Sequence, residues 1–295
     1  MNLQLIRLKI KNLLIVCVAF IFAFAFFIPI LLTLSNSFMT GFEITNRYSM
    51  AVLPVNYFRL LESMPTINFV DMSLIPAWAS LSQYMVLLFD TPSYFDNFWG
   101  SIVITAPSVV GQLLVAIPAA YAFEACGWKH KEKLFFVYIM VMLMPLTVVL
   151  VPQFVIAGFL GIQESALAVI LPAAFSPFGV FLLRQFLKSM RVEYIEAAKI
   201  DGAGHTVTLV AIVIPMLKPA IAALAILVFI DYWNVVEQAI VFITDSRRLP
   251  LSVALATLNT EIIFAASCFY MLPAVLVFLY GQEYLVEGIQ LSGIK

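Results

Sequence analysis

Lys188-Ser-Met-Arg-Val-Glu-Tyr-Ile-Glu-Ala-Ala-Lys-Ile-Asp-Gly-Ala-Gly-His205 is a charged stretch set between two long apolar runs, residues 166–186 and 207–242. A helix needs roughly 20 predominantly apolar residues to cross the hydrocarbon of a bilayer, and both runs reach that length. The stretch is therefore the turn between two membrane helices. Ser189 is placed to cap a helix N-terminus, Glu193 and Glu196 fall in early turns where the helix dipole favours anions, and Gly202 supplies a left-handed stop. Tyr194, Ala197 and Ala198 recur at helical spacing, as do Glu193, Glu196 and Lys199, which gives a small apolar face beside a charged one. A short helix of this kind either docks into a groove on another protein or lies at the bilayer surface as amphipathic helices do.

Outward from this stretch, four further apolar runs qualify as spans, at 13–34, 98–125, 134–159 and 262–284. The expected fold is all-α: a polytopic membrane protein with six transmembrane helices. With 63% hydrophobic and 11% charged residues, the 295-residue chain carries more apolar surface than a water-soluble core can hide, so lipid is the solvent for most of it. The first run follows Arg7, Lys9 and Lys11 as a secretory signal would. It is too long for one and lacks a small-x-small cleavage site, so it is expected to persist as the first span. The basic residues sit in short clusters between apolar runs, at a net charge of −1, which leaves no electrostatic footprint for nucleic acid.

Those clusters orient the chain. Of 16 Lys and Arg, all but Arg47, Arg59, Arg247 and Arg248 lie in or beside segments on the same side as the N-terminus. The positive-inside bias then predicts a multi-pass membrane protein with both termini in the cytoplasm. The expected division is a cytoplasmic N-terminus and first helix (1–34), a weakly acidic extracytoplasmic segment or lid (35–97), a five-helix core (98–284) holding the loop 187–208, and a cytoplasmic tail (285–295). Cys17, Cys126 and Cys268 are odd in number and two lie in apolar runs, so they are expected as small buried hydrophobes without a disulfide.

Ten of the 15 prolines fall within the spans, which predicts kinked helices around a cavity, or no more than the usual tolerance of membrane helices for proline. No repeat relates the two halves, and six spans are few for a self-sufficient secondary transporter, so a partner subunit is implied. Ionisable groups inside a span face a cavity or a partner. Asp231, Trp233, Asn234 and Glu237 cluster near the outer end of the fifth run, where aromatic faces and amide or carboxylate groups suit a polyhydroxylated ligand. The alternative is an interfacial aromatic anchor with solvated neighbours. Lys218 is placed to snorkel at the other end of that run, and Arg184 with Gln185 to anchor the fourth span at the cytoplasmic surface.

Enzyme classes find little support. The two histidines, His130 and His205, fall in loops, and the sequence has no H-E-x-x-H, no G-x-S-x-G and no G-x-x-x-x-G-K-[ST] phosphate loop. No catalytic residue, metal ligand or cofactor is expected in this chain, and energy must come from another protein. A membrane scaffold without a transport path remains a rival class.

Glu196-Ala-Ala198, then Gly202, then Ile212-Val-Ile-Pro215 resembles the EAA loop signature of inner-membrane permease subunits in binding-protein-dependent ABC importers. Tyr121-Ala-Phe123, Phe181-Leu-Leu-Arg184-Gln-Phe186, Pro215-Met-Leu-Lys-Pro219, Trp233-Asn234 and Tyr284-Leu-Val-Glu-Gly288 are similar to the MalG-type branch, which handles carbohydrates. The similarity runs from about Asn97 to the end. It departs at Glu124-Ala-Cys126, where the family has a basic residue shortly after Tyr-Ala-Phe, at Val235-Val-Glu237 after Trp-Asn, and in the long segment before the second span. The resemblance implies a type I importer permease fold. It also implies a second, MalF-like permease, two cytoplasmic ABC ATPases carrying ATP and Mg, an extracytoplasmic binding protein, and a sugar or oligosaccharide as cargo. On that resemblance Glu193, Glu196, Ala197, Ala198, Asp201 and Gly202 form the joint to the ATPase. Asp231, Trp233, Asn234 and Glu237 line the path or meet the binding protein, and the loop 244–260 with Arg247 and Arg248 reaches toward that protein.

Overall fold

The computed structural model describes residues 2–48, 75–189 and 193–293, with side chains described over 11–48, 75–189 and 193–286. Every regular element among them is a helix. Apart from short helical turns at 82–90, 251–257 and 260–262, we number them α1 (Asn2–Asn36), α2 (Gly41–Tyr48), α3 (Pro92–Ala125), α4 (Lys131–Met142), α5 (Leu146–Leu160), α6 (Leu167–Ala174), α7 (Pro177–Ser189), α8 (Glu193–Ile200), α9 (His205–Met216), α10 (Lys218–Trp233), α11 (Glu237–Phe242) and α12 (Ile263–Gly293). Lys11–Asn36, α3, Leu167–Ser189 and Thr260–Val286 are each long and apolar enough to cross a membrane. The bent pairs α4–α5 (103°) and α9–α10 (76°) bring the number to six if each pair is one span.

The expected six runs are therefore present, but two of them bend sharply and the fourth is interrupted at 175–176 between α6 and α7. The third run turns at residues 143–145, where Pro145 is extended (φ −64°, ψ 141°) and opens α5. The fifth run, read as one span over 207–242, turns at Leu217 between Pro215 and Pro219 and breaks again at 234–236, leaving α11 as a separate two-turn helix. Proline lacks the amide proton and clashes with the preceding turn, which makes such points cheap places to bend. Pro29, Pro107, Pro118, Pro152, Pro172 and Pro273 nonetheless sit inside helices.

Two compact units divide the chain: Met1–Pro92 with Leu258–Phe269, and Ser93–Thr257 with Tyr270–Lys295. In the first, Gln83 is buried and donates to the carbonyls of Asn36 (2.7 Å) and Met39 (2.8 Å), while its Oε1 accepts from the Ala265 amide (3.3 Å). Tyr84 donates to Ser37 Oγ at 2.7 Å, and Glu43 pairs with Arg47 at 2.8 Å. The segment 35–97 is thus partly a folded, hydrogen-bonded knot; its residues 49–74 lie outside the described residues. The most apolar stretch of α1 is not buried by the rest of the chain, so this helix offers its surface to lipid or to another subunit. Cys17 lies on that surface and is exposed, against the expectation of a buried thiol. Cys126 and Cys268 are half-buried, and all three are free.

The second unit has two apolar cores. One joins α3, α4, α7, α8, α9 and α10 around Tyr121, Phe123, Phe135, Leu183, Phe186, Ile195, Leu217 and Leu224. The other joins α3, α5, α6 and α11 around Ile104, Ala157, Val169, Ala239 and Phe242. Helix α3 runs through both, and small residues let its neighbours come close. A Cβ on Gly179 of α7 would stand 2.8 Å from Gln112 Nε2 and 3.0 Å from Ala116 Cβ, and one on Gly111 would stand 2.8 Å from Ala174 Cβ. Close backbone approach is the main source of helix association where no water is available to drive it.

Candidate functional site

Helix α8 ends in a turn built as its sequence demands. Gly202 has φ +79°, its amide donates to the Lys199 carbonyl (3.1 Å), and the Ala203 amide donates to Ala198 (2.9 Å), the paired bonds of a Schellman cap. The start differs from the sequence expectation. Ser189 closes α7, its Oγ donating to Phe186 O at 2.7 Å, and so does not cap α8; residues 190–192 lie outside the described residues. The faces differ too. Ile195 packs into the first core and Ala198 is buried, whereas Tyr194 (50% exposed), Ala197 and Ile200 (86% exposed) point away from the chain together with Glu193, Glu196, Asp201 and Gly202. The outward surface is therefore an apolar strip edged by carboxylates. Ile195 and Ala198, three residues apart, lie on the buried side of the helix, while Ile200 is left outside.

The α8 segment is held to the end of α3. Lys199 Nζ donates to Ala125 O (3.4 Å), and Tyr121 Oη lies 3.3 Å from His205 Nδ1. Beside it sits a feature that the sequence reading assigned to surface anchoring. Arg184 is fully buried. Its Nε donates to Glu124 Oε2 (3.2 Å), its Nη2 donates to Glu132 Oε1 (2.5 Å), and its guanidinium lies 3.9 Å from the ring centre of Phe135 and 5.8 Å from that of Phe123. One side chain of α7 thus ties the end of α3 to the start of α4. Glu124, which stands at the point of departure from the family pattern, supplies one of the two carboxylates.

The second group of expected residues is split. Asp231, Asn234 and Glu237 line a cavity of about 930 Å3, together with Gln153, Ser176 and Gln238. Its walls come from three chain breaks, 143–145, 175–176 and 234–236. Irregular backbone at membrane depth is tolerated where protein buries it or a wet cavity satisfies it, and here three breaks converge on one space whose mostly apolar lining carries a few polar groups. Trp233 is not part of the lining. It is fully buried, stacked between Phe229 (5.5 Å) and Tyr270 (5.8 Å) with Phe98 edge-on, and its Nε1 donates to Tyr270 O at 3.1 Å. The expectation that Trp233 faces solute is corrected: a large aromatic with one polar atom is most stable where both are satisfied. Tyr270, missed in the sequence because it lies in the last run, donates to Asn234 Oδ1 at 2.7 Å and fixes the break. The loop after α11 is fastened as well: Asn97 Nδ2 donates to Ser246 O (2.9 Å) and Leu249 O (2.8 Å), and the Leu251 amide donates to Ser101 Oγ (2.8 Å).

Residues 112–290 match the family model for the binding-protein-dependent transport system inner membrane component. The chain belongs to that family. Both α8 and the cavity fall inside the matched region of the permease. It is 27% identical over 77% of its length to the arabinooligosaccharides transport system permease protein AraQ of Halalkalibacterium halodurans, covering 84% of that protein. It is 31% identical over 68% of its length to the melibiose/raffinose/stachyose import permease protein MelC of Bacillus subtilis, covering 76% of it. In fold it is similar to a chain of a bacterial ABC transporter involved in the import of alginate, with a TM-score of 0.77, 22% identity and 94% and 96% of the two chains covered. The last comparison establishes the fold class expected from the sequence.

Proposed function

We propose that this permease is one of two membrane subunits of an ATP-driven importer of sugars or oligosaccharides, with α8 as the joint to a separate ATPase and the cavity at the three helix breaks as part of the path. The observation that carries the reading is the build of α8: a short, capped helix, tied to α3 and standing next to the Arg184 clamp, with an outward strip of Tyr194, Ala197 and Ile200 edged by Glu193, Glu196 and Asp201. A rigid helix gripped in a socket passes on a displacement, whereas a loose loop absorbs it. The full complex in this reading has a second permease, two cytoplasmic ATPases with ATP and Mg, and an extracytoplasmic binding protein that delivers cargo. The chain sits in a bacterial cytoplasmic membrane with both termini and α8 inside. Relatives named for arabinooligosaccharides and for melibiose, raffinose and stachyose support the sugar class.

Co-purification tests this. Tagged permease is expected to bring down a nucleotide-binding subunit encoded nearby, and the reconstituted complex to hydrolyse ATP faster when the binding protein is added with sugar. Gly202→Trp, which puts a bulky side chain on the outward turn, is expected to abolish that stimulation. Stimulation that survives the change removes α8 from the coupling role.

A further inference from the structure

The cavity at the helix breaks holds two carboxylates, Asp231 and Glu237, and no Lys, Arg or His among its lining residues. Neither carboxylate makes an ion pair with any described residue. Both are exposed within this chain although Asp231 lies in α10, a membrane helix. Lipid does not accept such a group, so the side that carries it faces water, cargo or a partner. The remaining polar lining is neutral: Gln153, Ser176, Asn234 and Gln238 offer amide and hydroxyl donors and acceptors suited to hydroxyl-rich solutes. At 930 Å3 the space lies at the upper end of small-molecule sites. Low-dielectric walls around a wet cleft with one sign of charge concentrate its field.

We infer that this cavity is a charge filter, in which Asp231 and Glu237 admit uncharged saccharides and turn back saccharides bearing carboxylate, sulfate or phosphate groups. The inference deepens the importer reading and rests on it for the saccharide; the field itself does not depend on cargo. It separates this permease from a transporter of an acidic polysaccharide although the fold is shared.

The test reads the field without cargo or binding protein. In the purified, assembled transporter, Cys17, Cys126 and Cys268 are replaced by serine and Val236→Cys is introduced; Val236 lines the cavity, is 40% exposed and adjoins Glu237. The labelling rate is then measured with methanethiosulfonate reagents carrying a trimethylammonium, a hydroxyl or a sulfonate group. The carboxylates also make the thiol less acidic, but that slows all three reagents alike, so the ratio between them reports the field. The cationic reagent is expected to outpace the anionic one by about tenfold beyond their ratio on a free thiol, as two charges within a few residues produce in a partly wet cleft. Raising ionic strength is expected to shrink the ratio, and Asp231→Asn with Glu237→Gln to bring it close to that on the free thiol. If the double variant does not assemble, each single variant is expected to remove part of the bias.

A flat ratio in the parent, or a bias that persists in the variants, overturns the filter. Flat labelling alongside sugar uptake removes the filter and leaves the importer. Biased labelling in a complex that takes up no neutral sugar overturns the importer reading and with it the assignment to saccharides.

Discussion

Arg184 and Asp231 are both charges placed on membrane-crossing helices, and the chain treats them in opposite ways. Arg184 is fully buried, held by two carboxylates and packed on two aromatic faces. Asp231 is exposed, unpaired among the described residues and set at the edge of a cavity. A buried charge is tolerable when partners compensate its lost hydration, so the first pattern is that of a structural joint. An uncompensated charge on a membrane helix is tolerable when something outside the chain compensates it, so the second pattern is that of a site. The contrast separates what the chain has finished from what it leaves to others.

Breaking the finished joint is expected to have the largest effect. Arg184→Ala leaves Glu124 and Glu132 without their cation and a void against Phe135, and loss of one partner of a buried pair costs about 3–5 kcal/mol. Glu132 is mostly exposed, which places the loss nearer the lower figure. The check is the yield and thermal midpoint of the purified complex. Arg184→Lys is expected to rescue little, because an ammonium cannot bridge two carboxylates while lying flat on a ring. Next in size is Gly202→Val. No neighbour stands within 4 Å of a Cβ there, so the cost comes from φ +79° alone, on the order of 1–2 kcal/mol for a residue with a Cβ. It is expected to appear as lost ATPase stimulation out of proportion to a modest fall in thermal midpoint. An equal loss of both would move α8 from the unfinished class to the finished one.

The sequence made the spans legible because lipid demands long apolar runs whatever the tertiary arrangement. It made the Gly202 turn legible because a left-handed residue after a helix needs glycine. Prolines within the spans pointed to kinked helices around a cavity but not to which of them break the chain: Pro145 and Pro177 stand at breaks, while Pro152 and Pro172, in similar apolar surroundings, lie inside helices. Tertiary contacts decide between those outcomes, and composition does not carry them. The Arg184 joint was hidden for a related reason, since its partners lie 60 and 52 residues away and nothing local marks them. The outward face of α8 was legible in part: Tyr194 and Ala197 point outward as the stripe through them requires, whereas Ala198 is buried, and Ile195 meets the core through contacts that nothing local marks.

Trp233 sharpens the comparison from within the fifth run. It adjoins Asn234 in sequence, yet belongs to the packed class. Trp233→Phe keeps an aromatic face for Phe229 and Tyr270 and loses the indole donor, leaving the Tyr270 carbonyl without that bond. The expected cost is about 1 kcal/mol, read as a small fall in thermal midpoint, with cargo selectivity unchanged.

The smallest expected effect on stability belongs to the charge without a described partner. Asp231→Asn removes a carboxylate that has no described partner to abandon, and substitutions away from packed or paired sites usually fall within about 0.5 kcal/mol. The thermal midpoint of the assembled complex is therefore expected to stay put, while the preference between cationic and anionic probes at Val236→Cys moves. That combination distinguishes a group that works on what enters the cavity from one that holds the cavity together. A marked fall in midpoint would mean that the second permease supplies a cation to Asp231, and would transfer this residue from the cargo path to the interface between subunits.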